Sequence, residues 1–278
     1  MPESSVEPSW VRYWRSPDQP LEAMHANFHG QVYGRHSHET YSFGVTEAGA
    51  QSFACRGANH VSAAGMIMIF NPDEPHDGRA ASELGFNYRI VHLGPTLLGE
   101  ILAERTNHPV GLPLFAEPVQ HDPGLAGALR LLHAALTQPA SALERDERLA
   151  TTVARLSSRY ATRSLPSAAD RSTPPALVRV VRDCLHADVA RDVSATELAQ
   201  LAGASRFAVY RAFRTAMGMS PSEYQRQLRL RQARRLLARG EGAARVAAQV
   251  GFADQAHLTR WFVRHFGVTP AAFQRAAS

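Results

Sequence analysis

Apolar and polar positions along this chain of 278 residues follow two different periods. Between residues 20 and 93 the period is two, or the run is apolar throughout. Tyr41-Ser42-Phe43-Gly44-Val45 alternates large apolar with small or polar residues, and Gln51-Ser52-Phe53-Ala54-Cys55 is a second candidate strand. Met66-Ile67-Met68-Ile69-Phe70 is apolar on both faces, as a buried strand is, and ends in the turn cluster Asn71-Pro72-Asp73-Glu74-Pro75. Phe86 to Leu93 sets Phe86, Tyr88, Ile90 and His92 against Asn87, Arg89, Val91 and Leu93. Short strands at roughly ten-residue spacing predict a small barrel or sandwich.

From Pro95 the period becomes helical. Leu97, Leu98, Ile101 and Leu102 share a face, and after Pro109, Pro113 and Pro118 the segments Leu125–Leu136 and Leu143–Tyr160 resume the pattern. Such helices either form a dimerisation surface or pack on their own strands, and the pattern leaves both open. Leu165-Pro166 through Pro174-Pro175, rich in Ser, Ala and Pro, reads as a linker. The expected organisation is a domain over 1–165, a linker over 166–175 and a helical domain over 176–278.

The last hundred residues contain one pattern twice. Leu198-Ala199, Gly203, Ser205, Val209, Arg211, Phe213, Gly218, Pro221 and Tyr224 are matched by Val246-Ala247, Gly251, Asp254, Leu258, Arg260, Phe262, Gly267, Pro270 and Phe273. The offset is 48 up to the glycine and 49 afterwards, so the second turn gained one residue. Each copy reads as short helix, glycine turn and longer helix, a helix-turn-helix over 197–217 and again over 243–266. Ser194-Ala195-Thr196-Glu197 predicts a capping box, and Ser205 and Asp254 are candidate caps of the two longer helices. In the first longer helix, Val209, Phe213, Ala216 and Met217 form the inward face, leaving Arg206, Phe207, Tyr210, Arg211 and Arg214 as an outward stripe. Folding gives no reason to expose two aromatics, whereas DNA recognition does. Arg pairs with guanine edges or phosphates, and aromatics touch thymine methyls. In the second copy Gln255, Ala256, His257 and Arg260 lie near the helix start, where base edges are met, Ala256 offering at most an apolar contact. Between the copies Ser222–Ala238 reads as one helix with Arg226, Arg229, Arg231, Arg234 and Arg235 mostly outward. It spans roughly 25 Å, which sets the two reading helices about one DNA turn apart.

Charge separates the halves. Residues 174–278 hold 16 Arg and 7 acidic residues, a balance of +9, while the remainder carries −4, and the chain has no Lys. A basic C-terminal third predicts a polyanionic partner for that part, double-stranded DNA. Cys55 and Cys184 are too few and too far apart for a disulfide framework and fit a reducing cytoplasm. The chain shows no apolar run long enough to span a membrane, and Met1–Ser16 reads as no signal peptide.

At this point the chain resembles an AraC/XylS-type transcription regulator. The resemblance rests on Ala247, Gly251-Phe252-Ala253-Asp254-Gln255-Ala256-His257-Leu258, Arg260-Trp261-Phe262 and Gly267-Val268-Thr269-Pro270, and extends over residues 176–275. It implies base-facing positions for Phe207, Tyr210 and Arg211, and for Gln255, Ala256, His257 and Arg260. The N-terminal half resembles the cupin-like sensor domain of that family, through His36-Ser37-His38-Glu39-Thr40-Tyr41-Ser42-Phe43-Gly44 and Phe70-Asn71-Pro72-Asp73-Glu74-Pro75-His76. That implies an α+β protein. Its N-terminal part is a cupin-like β-barrel with appended helices, holding a small-molecule effector and forming a homodimer through residues 95–163. Its C-terminal part is an all-α domain of two helix-turn-helix units joined by a linker helix.

The effector residues expected on this basis are His36, His38, Tyr41, Phe43, Phe70 and His76. His36, His38 and His76 are also three potential metal ligands. Metal-binding cupins carry a Glu four or five residues after the second His, where this chain has Ser42 and Phe43. No metal, cofactor or catalytic residue is therefore assigned. A metal-dependent cupin enzyme or metal sensor fused to a DNA-binding module is the alternative reading. RNA polymerase is a further candidate partner.

Overall fold

The computed structural model describes residues 9–17, 19–29, 32–106, 111–164 and 176–276. The expected linker over 166–175 lies outside them. The chain divides into two compact units, the division falling after Ser167.

The first unit opens with eight strands, β1 (Trp10–Arg15), β2 (Leu21–Phe28), β3 (Val32–His36), β4 (Tyr41–Cys55), β5 (Ala58–Ala63), β6 (Ile67–Phe70), β7 (His76–Ala80) and β8 (Phe86–Leu93). There follow α1 (Pro95–Thr106), β9 (Pro113–Phe115), β10 (Val119–Gln120), α2 (Pro123–Thr137), α3 (Ala142–Tyr160) and β11 (Ala161–Ser164). Nine of the strands form one antiparallel sheet bent into two layers. The first layer runs β1-β2-β8-β4-β6-β10, and the second places β7 between β3 and the far end of β4, with β5 on that end's other side.

The sheet is not closed into a barrel, and the cupin-type closure expected above is corrected on this point. Among the described strands, β1 and β10 each pair on one side only, and so do β3 and β5. The reason lies in β4. The two segments read separately from the sequence are one strand of 15 residues, long enough to serve both layers. Its first part pairs with β8 and β6, its last part with β5 and β7. The change of layer occurs at a bulge between Thr46 and Ala48 and at Gly49, whose φ of +69° is glycine's region. A Cβ there would lie 2.2 Å from the Gly85 carbonyl oxygen. Alternation reports which residues share a face, not whether the sheet's edges meet.

Both faces of the first layer are covered. Leu21, Ala23, Tyr41, Phe43, Val45, Ile67, Ile69, Val91 and Leu93 pack with leucines of α1, α2 and α3. The alternate positions, among them Met24, Phe28, Met68, Phe70, Phe86 and Tyr88, pack with Tyr33, Phe53 and Cys55 of the second layer. This double covering explains the unbroken apolar run at β6. The helices thus pack on their own strands. Asp122 fixes their hairpin, accepting from the Leu125 amide (2.9 Å), the Tyr160 hydroxyl (2.8 Å) and Arg159 (2.6 Å), which hold its carboxyl down to about 2.

The second unit is helical, with α4 (Ala176–Ala187), α5 (Ala195–Leu201), α6 (Arg206–Met217), α7 (Pro221–Ala238), α8 (Ala243–Gln249), α9 (Gln255–Phe266) and α10 (Pro270–Arg275). Val178, Val181 and Leu185 of α4 pack with Leu198, Val209, Phe213 and Leu228. Three local expectations change. Ser194 caps α5, but Glu197 pairs with Arg191, and the reciprocal capping box is found instead at Ser220 and Glu223. Ala216 is exposed. Arg226, Arg229, Arg231 and Arg234 are half-buried, leaving Arg235 as the fully outward member of that group. No described helix is long and apolar enough to cross a membrane.

Candidate nucleic-acid interface and ligand site

α6 and α9 are built by the same local rules. Each has 12 residues, a side-chain N-cap and a glycine in the left-handed region at its end. Ser205 accepts from the Ala208 amide (3.2 Å), and Asp254 accepts from that of His257 (2.6 Å). Gly218 (φ +70°) and Gly267 (φ +74°) stop the helices. Val209 and Phe213 in one, and Leu258 and Phe262 in the other, bury the inner face.

The outer faces differ. On α6, Arg206, Phe207, Tyr210, Arg211 and Arg214 are all exposed, Phe207 to 68%. The Arg211 guanidinium lies 5.2 Å from the Phe207 ring centre, and Arg214 donates to the Tyr210 hydroxyl (2.9 Å). The aromatics thereby hold two cations over the surface before any partner arrives, lowering the side-chain ordering cost of binding. On α9, Gln255, Ala256 and Arg260 are exposed, while His257 is half-buried. The Trp261 indole N–H donates to His257 Nε2 (3.0 Å), so the histidine's proton is on Nδ1. The His257 ring also meets Phe252 edge-on at 5.3 Å, and Arg226 stacks over Trp261 at 3.8 Å. The second helix thus offers two polar side chains freely and a third already engaged in packing.

In the first unit four imidazoles gather at one end of the space between the sheet layers. His36 of β3 pairs across the strands with His76 of β7, and His38 follows β3. The ligating nitrogens of His36, His38 and His76 lie within 4.8 Å of one another. Ring centres are 4.5 Å apart for His36 and His76 and 4.8 Å for His36 and His38. Phe70 stacks on His76 at 3.9 Å. The Nδ1–H of His36 donates to the Gly34 carbonyl (2.7 Å) and that of His76 to the Glu74 carbonyl (2.9 Å). Burial is the main cause lowering the pKa of both. In His76 the neighbouring His36 adds to it, and the value falls well below normal.

The fourth imidazole, His92, was not singled out as a site residue. Its Nδ1 hydrogen-bonds the Ser42 hydroxyl (2.9 Å), and its ring lies 4.9 Å from that of His38. The available signal was strand parity, because Ser42, His92 and Phe70 form one cross-strand row. The same parity separates Tyr41 and Phe43 from the histidines. Both belong to the core under the helices, where the Tyr41 hydroxyl donates to the Pro113 carbonyl (2.8 Å). The structure therefore brings together His36, His38, His76 and Phe70, and sets Tyr41 and Phe43 apart.

These two sites coincide with two recognised domain families. Residues 19–153 match the AraC-like ligand binding domain, and residues 198–276 match a helix-turn-helix domain, together about three quarters of the chain. The HTH-type transcriptional regulator YbfI of Bacillus subtilis is 27% identical over 242 residues, covering 87% of both chains. The regulator RipA of Corynebacterium glutamicum is 36% identical over 128 residues, 46% of this chain and 37% of RipA. Among solved structures, apo ToxT of Vibrio cholerae superposes with a TM-score of 0.59 at 11% identity, covering 95% of this chain and all of ToxT. That likeness shows the fold. These sequence relatives are named as transcriptional regulators. The chain is a helix-turn-helix, DNA-binding transcription regulator whose first unit matches the AraC-like ligand binding domain.

Proposed function

We propose that this regulator reads DNA with two unlike helices, α6 and α9, set into successive major grooves, under control of a small ligand held beside His36, His38, His76 and Phe70. The observation that carries the reading is the repeated capped helix with its outer face left in solvent, aromatics included. Arg206, Phe207, Tyr210, Arg211 and Arg214 serve the first half-site, with Arg211 as base reader and the other arginines on phosphate. Gln255, Ala256, His257 and Arg260 serve the second. The connecting α7, at 18 residues, spans about 27 Å, close to the step between grooves once the width of each unit is added.

Ligand control requires only that the ligand prefer one of two states of the protein. Dimerisation through residues 95–163 is supported by Leu131 and Leu143, large apolar side chains left exposed on α2 and α3. Light scattering of the full-length protein and of Leu143→Glu tests it, a monomeric parent ruling it out.

The DNA reading is tested by selecting duplexes from a random pool with the full-length protein. The expected product is a site with two dissimilar half-sites about one helical turn apart. Arg211→Ala should weaken binding to it by about 1–3 kcal/mol and relax one half-site. Recovery of a single half-site within one groove turn, or of two identical ones, would rule the reading out.

A further inference from the structure

The histidine cluster is built as a coordination site. We infer that His36, His38 and His76 bind one divalent first-row transition-metal ion, with at least one further coordination position left open. The inference names the ligand class of the site already assigned to the effector, and it rests on that reading.

Three observations carry it. First, the three ligating nitrogens share one small volume. Nitrogens no more than 4.8 Å apart place an ion at their centre about 2.8 Å or less from each, against the 2.0–2.1 Å of a zinc–imidazole bond. A side-chain movement of under about 1 Å therefore closes the site. Second, His36 and His76 are anchored by the same device, an Nδ1–H donated to the carbonyl two residues earlier. Each bond fixes the tautomer, with the proton on Nδ1, as the outer hydrogen bonds of metal-bound imidazoles do. Third, access is graded. His36 and His76 are buried, each 5% exposed, while His38 is half-buried. The two buried ligands are thus fixed in position, and the half-buried one leaves room for water or an organic donor.

An all-imidazole set suits zinc, nickel, copper or iron(II) and disfavours magnesium or calcium, which take oxygen ligands. The ring of His92, held by Ser42, borders His38 at 4.9 Å between ring centres.

The test uses full-length protein freed of metal by a chelator and titrated with cobalt(II), with zinc as competitor. The expected result is visible d–d absorption saturating at one cobalt per chain, displaced by zinc, and weakened at least ten-fold in His38→Ala. That substitution is half-exposed, and the melting curve of the variant checks its folding. His76→Gln should abolish the signal, while His60→Ala, outside the cluster, should leave it unchanged. Absence of cobalt and zinc binding to folded protein, or equal binding by His38→Ala and His76→Gln, would overturn the inference. Thermal-shift measurements on the full-length protein, with the same metals and with a metabolite panel, separate the two failures. If an organic compound raises the melting temperature and metals do not, the ligand-binding reading stands and the metal site falls. If neither does, both fall.

Discussion

The two helix-turn-helix units share a backbone plan and differ in what surrounds each turn. In the first, Gly203 has a φ of +60°, and a Cβ added there would meet open space. In the second, Gly251 has a φ of +82°, and a Cβ would lie 2.4 Å from the Ala190 carbonyl oxygen. The second turn is one residue longer, five residues between helices against four, and it buries Phe252. It is held from below by Arg229, whose guanidinium donates to the carbonyls of Val189 (2.9 Å), Gly251 (2.8 Å), Ala190 (3.2 Å) and Arg191 (3.1 Å). One copy therefore keeps its arginines and aromatics for the outside. The other uses Arg229, Arg226, His257 and Trp261 to lock itself to its surroundings. A duplicated motif can keep its geometry while its copies divide the work.

The sharpest way to break this comparison is Gly251→Ala. It combines left-handed strain with a backbone clash and should cost about 3 kcal/mol or more in denaturant unfolding. Arg229→Met removes the charge-assisted bonds to four carbonyls and should cost about 2 kcal/mol by the same measurement, with no change in the far-UV signal at low temperature. Gly203→Ala carries only the left-handed penalty, about 1 kcal/mol. His257→Ala leaves the half-buried Trp261 N–H without its acceptor and should cost less, roughly 0.5–1 kcal/mol. Equal losses for the two glycine variants would mean that the turns are equivalent after all.

Much of this is legible in the sequence alone. The repeat, its caps at Ser205 and Asp254 and the exposed stripe on α6 follow from spacing, since a 12-residue helix with a buried face has little freedom in where it points the other. Arg229 was not legible. Its partners are backbone carbonyls at residues 189–191 and 251, which carry no side-chain signature, so it read as one more outward arginine. Barrel closure failed for a related reason. Alternation reports which residues share a face, and it carries no information on whether edge strands such as β1 and β10 find a second partner. The histidine cluster was half legible: His36, His38 and His76 stood out as a set, but His92 needed the β4–β8 register to join them. Tyr41 and Phe43 join the histidines only as what the resemblance to the sensor domain implies, whereas Tyr41 pairs with Leu93 and Phe43 with Val91, on the face turned to the helices.

The central claim, that two unlike readers sit on one chain, is tested most directly by comparing Arg211→Ala and Arg260→Ala on the selected operator. Quantitative binding is measured to that duplex and to variants changed at one base pair at a time. The account predicts that each substitution erases base preference in a different half-site, the two positions lying about one helical turn apart. It also predicts the larger loss of overall affinity for Arg211→Ala. Loss of preference at the same base pairs in both variants, or no effect of Arg260→Ala at any base pair, would contradict it.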